Sequence, residues 1–114
     1  MAKYENNFQG DFNEVLQMIE KGILKGSISA SYEDGSTFHM GDVHCAVRVY
    51  ERYSVVGSNR VSLNVTLLAS GRDLALSAIT SGGSQAMFFK LNTFGEEAFL
   101  DCLVKIVREY QRGK

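Results

Sequence analysis

Apolar residues recur at every second position over two long runs in the middle of the chain. Val43, Cys45, Val47 and Val49 alternate with His44, Ala46, Arg48 and Tyr50, and Val61, Leu63, Val65, Leu67 and Ala69 alternate with Ser62, Asn64, Thr66 and Leu68. Period two with β-branched residues predicts half-buried strands, because successive side chains of a strand point to opposite sides of its sheet. This reading places both valine-rich sets on one covered face and both polar sets on the other. Residues 54–59, with Gly57, Ser58 and Asn59, supply a hairpin loop between the two runs.

On either side the rhythm changes to three and four. Asp-Phe-Asn-Glu from Asp11 is a capping-box pattern, and Phe12, Val15, Leu16, Ile19 and Ile23 predict a helix over 12–24 that Gly26 stops. Residues 93–96 repeat the box. Phe94, Ala98, Phe99, Cys102, Leu103, Ile106, Val107 and Tyr110 then predict a second helix to about residue 110. Between the helices, Ile28, Ala30 and Tyr32 alternate with Ser27, Ser29 and Ser31, a strand over 27–33 that leads into a tight turn at Asp34-Gly35. A short arm over 36–40 carries Phe38 and Met40, and Gly41-Asp42 breaks it or bulges it into the run from Val43. After a turn at residues 70–73, Leu74, Leu76 and Ala78 alternate with Ala75, Ser77 and Ile79. Residues 85–91 read as a further strand or an apolar connection, and residues 1–10 as an edge strand or an ordered arm. The order helix, strands, helix with short turns predicts an α+β two-layer sandwich: an antiparallel meander of four to five strands, with both helices packed on the Val43/Val61 face.

Composition adds mainly exclusions. With 114 residues, 45% of them hydrophobic, the chain suits a single domain over 1–114 that can bury one core without a metal or a disulfide. A net charge of −1, from 12 basic and 13 acidic residues, provides no field to attract nucleic acid, which is not an expected partner. No apolar window approaches the length of a membrane span and none follows the start as in a signal peptide, so a cytoplasmic protein is expected. Cys45 and Cys102 lie on apolar stripes, where free cysteine packs as a small hydrophobe.

Candidate chemistry is sparse. His39 and His44 lack further ligands at metal-site spacing, so neither a metal nor a cofactor is expected. His44 and Cys45 are strand neighbours, whose side chains diverge, and so do not form a catalytic pair. Ser81-Gly-Gly-Ser lacks the remainder of a phosphate-binding loop. Glu51 interrupts its apolar set, which places it at the end of the sheet beyond the helices or in a pocket, with Arg52 or Arg60 as a surface partner. No set of acid, base and nucleophile emerges, and no catalytic residue is assigned.

The polar face is more informative. Arg48, Tyr50, Arg52, Arg60, Asn64 and Thr66 are expected to gather there with Ser27, Ser29 and Ser31, beside the stray apolar residues Ala46, Leu68 and Ile79. Tyr and Arg are common interface anchors, and small residues allow close approach. Arg48, Tyr50, Arg60 and Asn64, with Ser84 and Gln85 in a groove over 81–85, are the candidate binding residues of a non-enzymatic interaction protein, homo-oligomeric through this face. The alternative is a small-ligand carrier or weak enzyme with a pocket between helices and sheet, near Tyr32, Glu51, Tyr53 and Phe88.

The segments Ile28-Ser-Ala-Ser-Tyr-Glu-Asp-Gly, Cys45-Ala-Val-Arg-Val-Tyr-Glu-Arg-Tyr, Asn59-Arg-Val-Ser-Leu-Asn-Val-Thr-Leu, Ile79-Thr-Ser-Gly-Gly-Ser-Gln-Ala and Asn92-Thr-Phe-Gly-Glu-Glu-Ala-Phe-Leu resemble a small uncharacterised family, a domain of unknown function from Gram-positive bacteria, over nearly the whole chain. The resemblance implies a bacterial intracellular protein. It brings no activity, cofactor or site residue.

Overall fold

The computed structural model describes residues 1–54, 59–82 and 89–113, with residues 54, 59 and 89–94 described through their backbone. Strand β1 (Ala2–Gln9) precedes helix α1 (Phe12–Gly26); strands β2 (Ser31–Met40), β3 (Val43–Ser54), β4 (Asn59–Ser70) and β5 (Asp73–Gly82) follow, and helix α2 (Phe89–Arg112) ends the fold. The strands form one antiparallel sheet in the order β1-β5-β4-β3-β2. β2 to β5 are a meander, and β1 pairs with the outer edge of β5, so the chain through α1 has to cross from one edge of the sheet to the other.

Both helices cover one face, giving the α+β architecture that the pattern predicts. Val15, Ile19 and Ile23 of α1 and Phe99, Leu103 and Val107 of α2 join Val61, Leu63, Val65, Leu67, Leu74, Leu76 and Ala78 in one buried cluster. The cap on α1 is as read: the Asp11 carboxylate accepts a bond of 2.8 Å from the Glu14 amide. At the corner between β1 and α1, Gly10 lies under the Tyr110 ring, where a Cβ would collide with ring carbons, and the Asp11 amide donates to the Tyr110 hydroxyl at 3.0 Å. The end of α2 is thereby fastened to the start of the chain.

Several local expectations are corrected. Asp34-Gly35 does not turn; β2 runs through it with a register shift between Tyr32 and Asp34. Gly35 serves close packing, since a Cβ there would meet the Tyr32 hydroxyl and Arg48 Cδ, and the turn falls instead at Gly41, whose φ of 58° is left-handed. Residues 27–30 lie outside the strand, and residues 1–10 resolve into the edge strand β1. α2 begins at Phe89, so 89–91 are helical, whereas 85–88 lie outside the described residues. Ala98 is exposed and does not belong to the buried stripe of α2.

The largest correction concerns β3. Residues directly opposite in a ladder share a face, and Arg48 lies opposite Val65, Tyr50 opposite Leu63 and Ala46 opposite Leu67. The covered face of β3 therefore carries His44, Ala46, Arg48, Tyr50 and Arg52, while Val43, Cys45, Val47 and Val49 face away from the helices with Ser70, Leu68, Thr66 and Asn64. The cause is parity. With Ser54 paired to Asn59, Val47 falls opposite Thr66, and a register one residue different would turn every side chain over. Among the described residues no helix is long and apolar enough to cross a membrane.

Candidate functional site

The face away from the helices is a ladder of cross-strand rows. Met40, Val43, Ser70, Asp73 and Gln9 form the row at the Gly41 end, followed by Phe38, Cys45, Leu68, Ala75 and Asn7. The next rows are Ser36, Val47, Thr66, Ser77 and Glu5, then Asp34, Val49, Asn64, Ile79 and Lys3. Large apolar side chains stand in solvent on this face: Met40 is 83% exposed, Phe38 54%, Leu68 43% and Ile79 41%. Charges keep to its margins, with Lys3 and Glu5 on the β1 edge, Asp34 on the β2 edge and Asp73 at one end. An apolar centre inside a polar rim is the usual anatomy of a protein interface.

Relief follows from side-chain size. β5 offers only short side chains to this face at Asp73, Ala75 and Ser77, and a trough results. One hollow of about 490 Å³ is lined by Val43, Leu68, Ala75, Asp73, Gln9 and Asn7 among others. A neighbouring hollow of about 630 Å³ shares Asn7, Leu68 and Ala75 and extends to Thr66, Ser77 and Glu5. Long side chains at Phe38 and Met40 raise the opposite margin of the same face.

The residues expected to form one binding cluster are divided between the two faces. Arg60 and Asn64 lie on the open face, where Arg60 Nε contacts Glu51 Oε1 at 2.9 Å and Nη2 donates to Ser31 Oγ at 3.2 Å. The half-exposed Glu51–Arg60 pair is worth ~0–1 kcal/mol. Arg48 is on the helix side, its guanidinium donating to the Ser36 and Val47 carbonyls and to Thr37 Oγ1 at 2.7–2.9 Å, a clamp between β2 and β3. Tyr50 is fully buried, and its ring meets that of Tyr32 edge-on at 5.8 Å. Its hydroxyl has no hydrogen-bond partner among the described residues; burial foremost, then the Glu20 carboxylate, pushes its pKa above the usual tyrosine range. Arg52 also sits on the helix side, over the Phe99 ring at 4.8 Å with Cys102 Sγ at 3.6 Å from Nη1. Ala46 is buried beneath the helices, whereas Leu68 and Ile79 stand on the open face as read. Ser84 and Gln85 lie outside the described residues.

The pocket expected between helices and sheet is not assembled from its named residues. Tyr32 is on the helix side, Glu51 and Tyr53 are on the open face, and Phe88 lies outside the described residues. His39 and His44 are cross-strand partners with ring centroids 5.8 Å apart, and Phe12 stacks beside His44 at the same separation. Among the described residues no group of three potential metal ligands forms. Glu96, nearly buried, accepts the Gly82 amide at 2.6 Å and meets the Met1 ammonium at 2.7 Å, tying α2 to β5 and β1. Cys45 and Cys102 are free thiols, one on each side of the sheet.

Sequence reasoning missed Val43, Val47, Val49, Phe38 and Met40 as members of this face. Loop parity was the available signal: a hairpin closed by residues 54 and 59 already fixes Val47 opposite Thr66. A family model described as "Family of unknown function (DUF6054)" matches residues 1–111. No curated protein and no solved structure matches the chain.

Proposed function

We propose, for a chain that belongs to the DUF6054 family of unknown function and takes no activity from that membership, a non-enzymatic interaction protein that self-associates through the open face of its sheet. One observation carries this: an apolar band that runs from exposed Phe38 and Met40 across half-buried Val43 and Val47 and buried Cys45 to exposed Leu68, on a face that neither helix covers. Contiguous exposed apolar surface beyond a few hundred Å² marks interaction sites on soluble proteins. Five strands about 4.8 Å apart and roughly ten residues long present ~800 Å², the contribution of one partner to a standard stable interface. A cytoplasmic setting fits the two free thiols, since neither is drawn into a disulfide.

Light scattering coupled to size exclusion tests the proposal. The expected mass at high protein concentration is twice the 12.6 kDa of the chain. A monomer at about 1 mM would sink it.

A second reading rests on the trough. Its two hollows, of about 490 and 630 Å³, fall within the ~300–1,000 Å³ of small-molecule sites, and an apolar ligand there would be a carried molecule. Thermal-shift screening separates the readings: a hit whose stabilisation vanishes in Ala75→Trp favours the carrier, and a trough that stabilises with nothing leaves self-association.

A further inference from the structure

The open face is uneven in a way that matches itself. Its ridge and its trough lie in the same cross-strand rows: Met40 and Phe38 stand on the β2 edge, while the hollow runs from Val43 on β3 and Leu68 on β4 to Asp73 and Ala75 on β5 and to Gln9 and Asn7 on the far edge β1. A two-fold axis lying in the interface along the central strand β4 keeps each row at its own height and exchanges the two halves. β2 of one copy then lies over β1 of the other, and β3 over β5. A two-fold axis across the strands would instead keep β2 over β2 and β1 over β1 with the rows reversed, so that neither ridge meets a trough.

Resting on the self-association proposed above, we infer that the partner is a second copy docked about the axis along β4, with Phe38 and Met40 as the anchors that fill the hollow beside Ala75 of the other copy. Two features of the face support this pairing over its rival. The hollow of about 490 Å³ has an apolar floor at Leu68, Ala75 and Val43 and occupies the two rows that Phe38 and Met40 define. In the row of Asp34 and Lys3 the same operation sets the Asp34 carboxylate of each copy over the Lys3 ammonium of the other, so the rim charges are complementary twice. Aligned sheets pack about 10 Å apart; the operation sets Phe38 over Asn7 and Met40 over Gln9, one strand from Ala75, and side chains of Phe and Met length reach from there into the hollow.

The test uses the full chain. Phe38→Asp and Met40→Asp, both at exposed positions, are each expected to weaken dimerisation at least tenfold, as anchor residues do. Ala75→Trp fills the hollow and is expected to weaken it as well, although it makes the face more apolar. Gln9→Cys/Met40→Cys and Met40→Cys alone, both built with Cys45→Ala and Cys102→Ala so that no native thiol competes, are treated with a thiol cross-linker about 10 Å long. Positions 9 and 40 sit on opposite edges of one sheet, four strand spacings or roughly 19 Å apart, so the linker joins them only between copies. Cross-linked dimers whose joined peptides contain positions 9 and 40, with no link from Met40→Cys alone, are the expected result. A dimer that keeps its affinity in all three face variants, or that links position 40 to position 40, overturns the anchor arrangement and leaves self-association standing. A wild-type monomer at about 1 mM overturns both.

Discussion

Tyr50 shows how one side chain can be read for the wrong surface. On a strand it has the look of an aromatic anchor, yet its register partner is Leu63 and it is fully buried, with no partner for its hydroxyl among the described residues. A buried hydroxyl without a hydrogen bond costs about 1–3 kcal/mol, so Tyr50→Phe is expected to raise stability by ~1 kcal/mol in urea unfolding. A loss of similar size would mean that the hydroxyl has a partner. The same group supplies a pH dependence. Its pKa is raised above the ordinary 10.0, by desolvation first and then by Glu20 and Tyr32, with Arg48 opposing. Below pH 10.0 the hydroxyl is protonated in both the folded and the unfolded chain; as pH rises past this value the unfolded chain releases the proton first, and stability falls. Tyr50→Phe should therefore flatten the decline above pH 10 relative to wild type, and an unchanged slope would mean that Tyr50 does not supply it.

At the scale of elements, consecutive leucines make the face assignment testable. Leu67 is fully buried under the helices and Leu68 is 43% exposed on the other side of the same strand. Leu67→Ala is expected to cost about 2–5 kcal/mol through a cavity, and Leu68→Ala under ~1 kcal/mol, both measured in a Met40→Asp background so that self-association does not contribute. Equal costs would refute the assignment. Helix α1, its Asp11 cap, strand β4 and the alternation of β5 were legible because one periodicity and one set of burials agree there. β3 was not, because its valines alternate as cleanly as a core strand while lying on the open face; alternation reports that two faces differ, and only register reports which one is covered. Asp34-Gly35 misled for a related reason. Gly35 is required where Tyr32 and Arg48 close over the backbone of β2, and a sequence signal for a tight turn does not distinguish that need from a positive φ. Of the candidate site, Leu68 and Ile79 were legible as apolar residues on a solvated strand face, but Arg48 and Arg60, similar in sequence, fall on opposite faces.

At the scale of the molecule, the two faces of one sheet solve the same problem by different means. The covered face buries its apolar rows under two helices in cis, and the open face carries an apolar band whose Phe38, Met40 and Leu68 the fold leaves exposed. A net charge of −1 sets little long-range repulsion between copies, so a contact driven by that band should tolerate salt. Coupling then follows from mass action: a dimer that holds only folded chains stabilises them more as concentration rises. Each tenfold increase is worth about 1.4 kcal/mol per dimer, which for a chain of this size moves the midpoint of thermal unfolding by roughly 2–4 °C. Over a hundredfold range of concentration the wild-type Tm is expected to climb by roughly twice that, and the Tm of Met40→Asp to stay fixed at the lower value. A wild-type Tm that does not move with concentration would mean that the apolar band contributes nothing to the stability of the folded chain, whatever else binds to it.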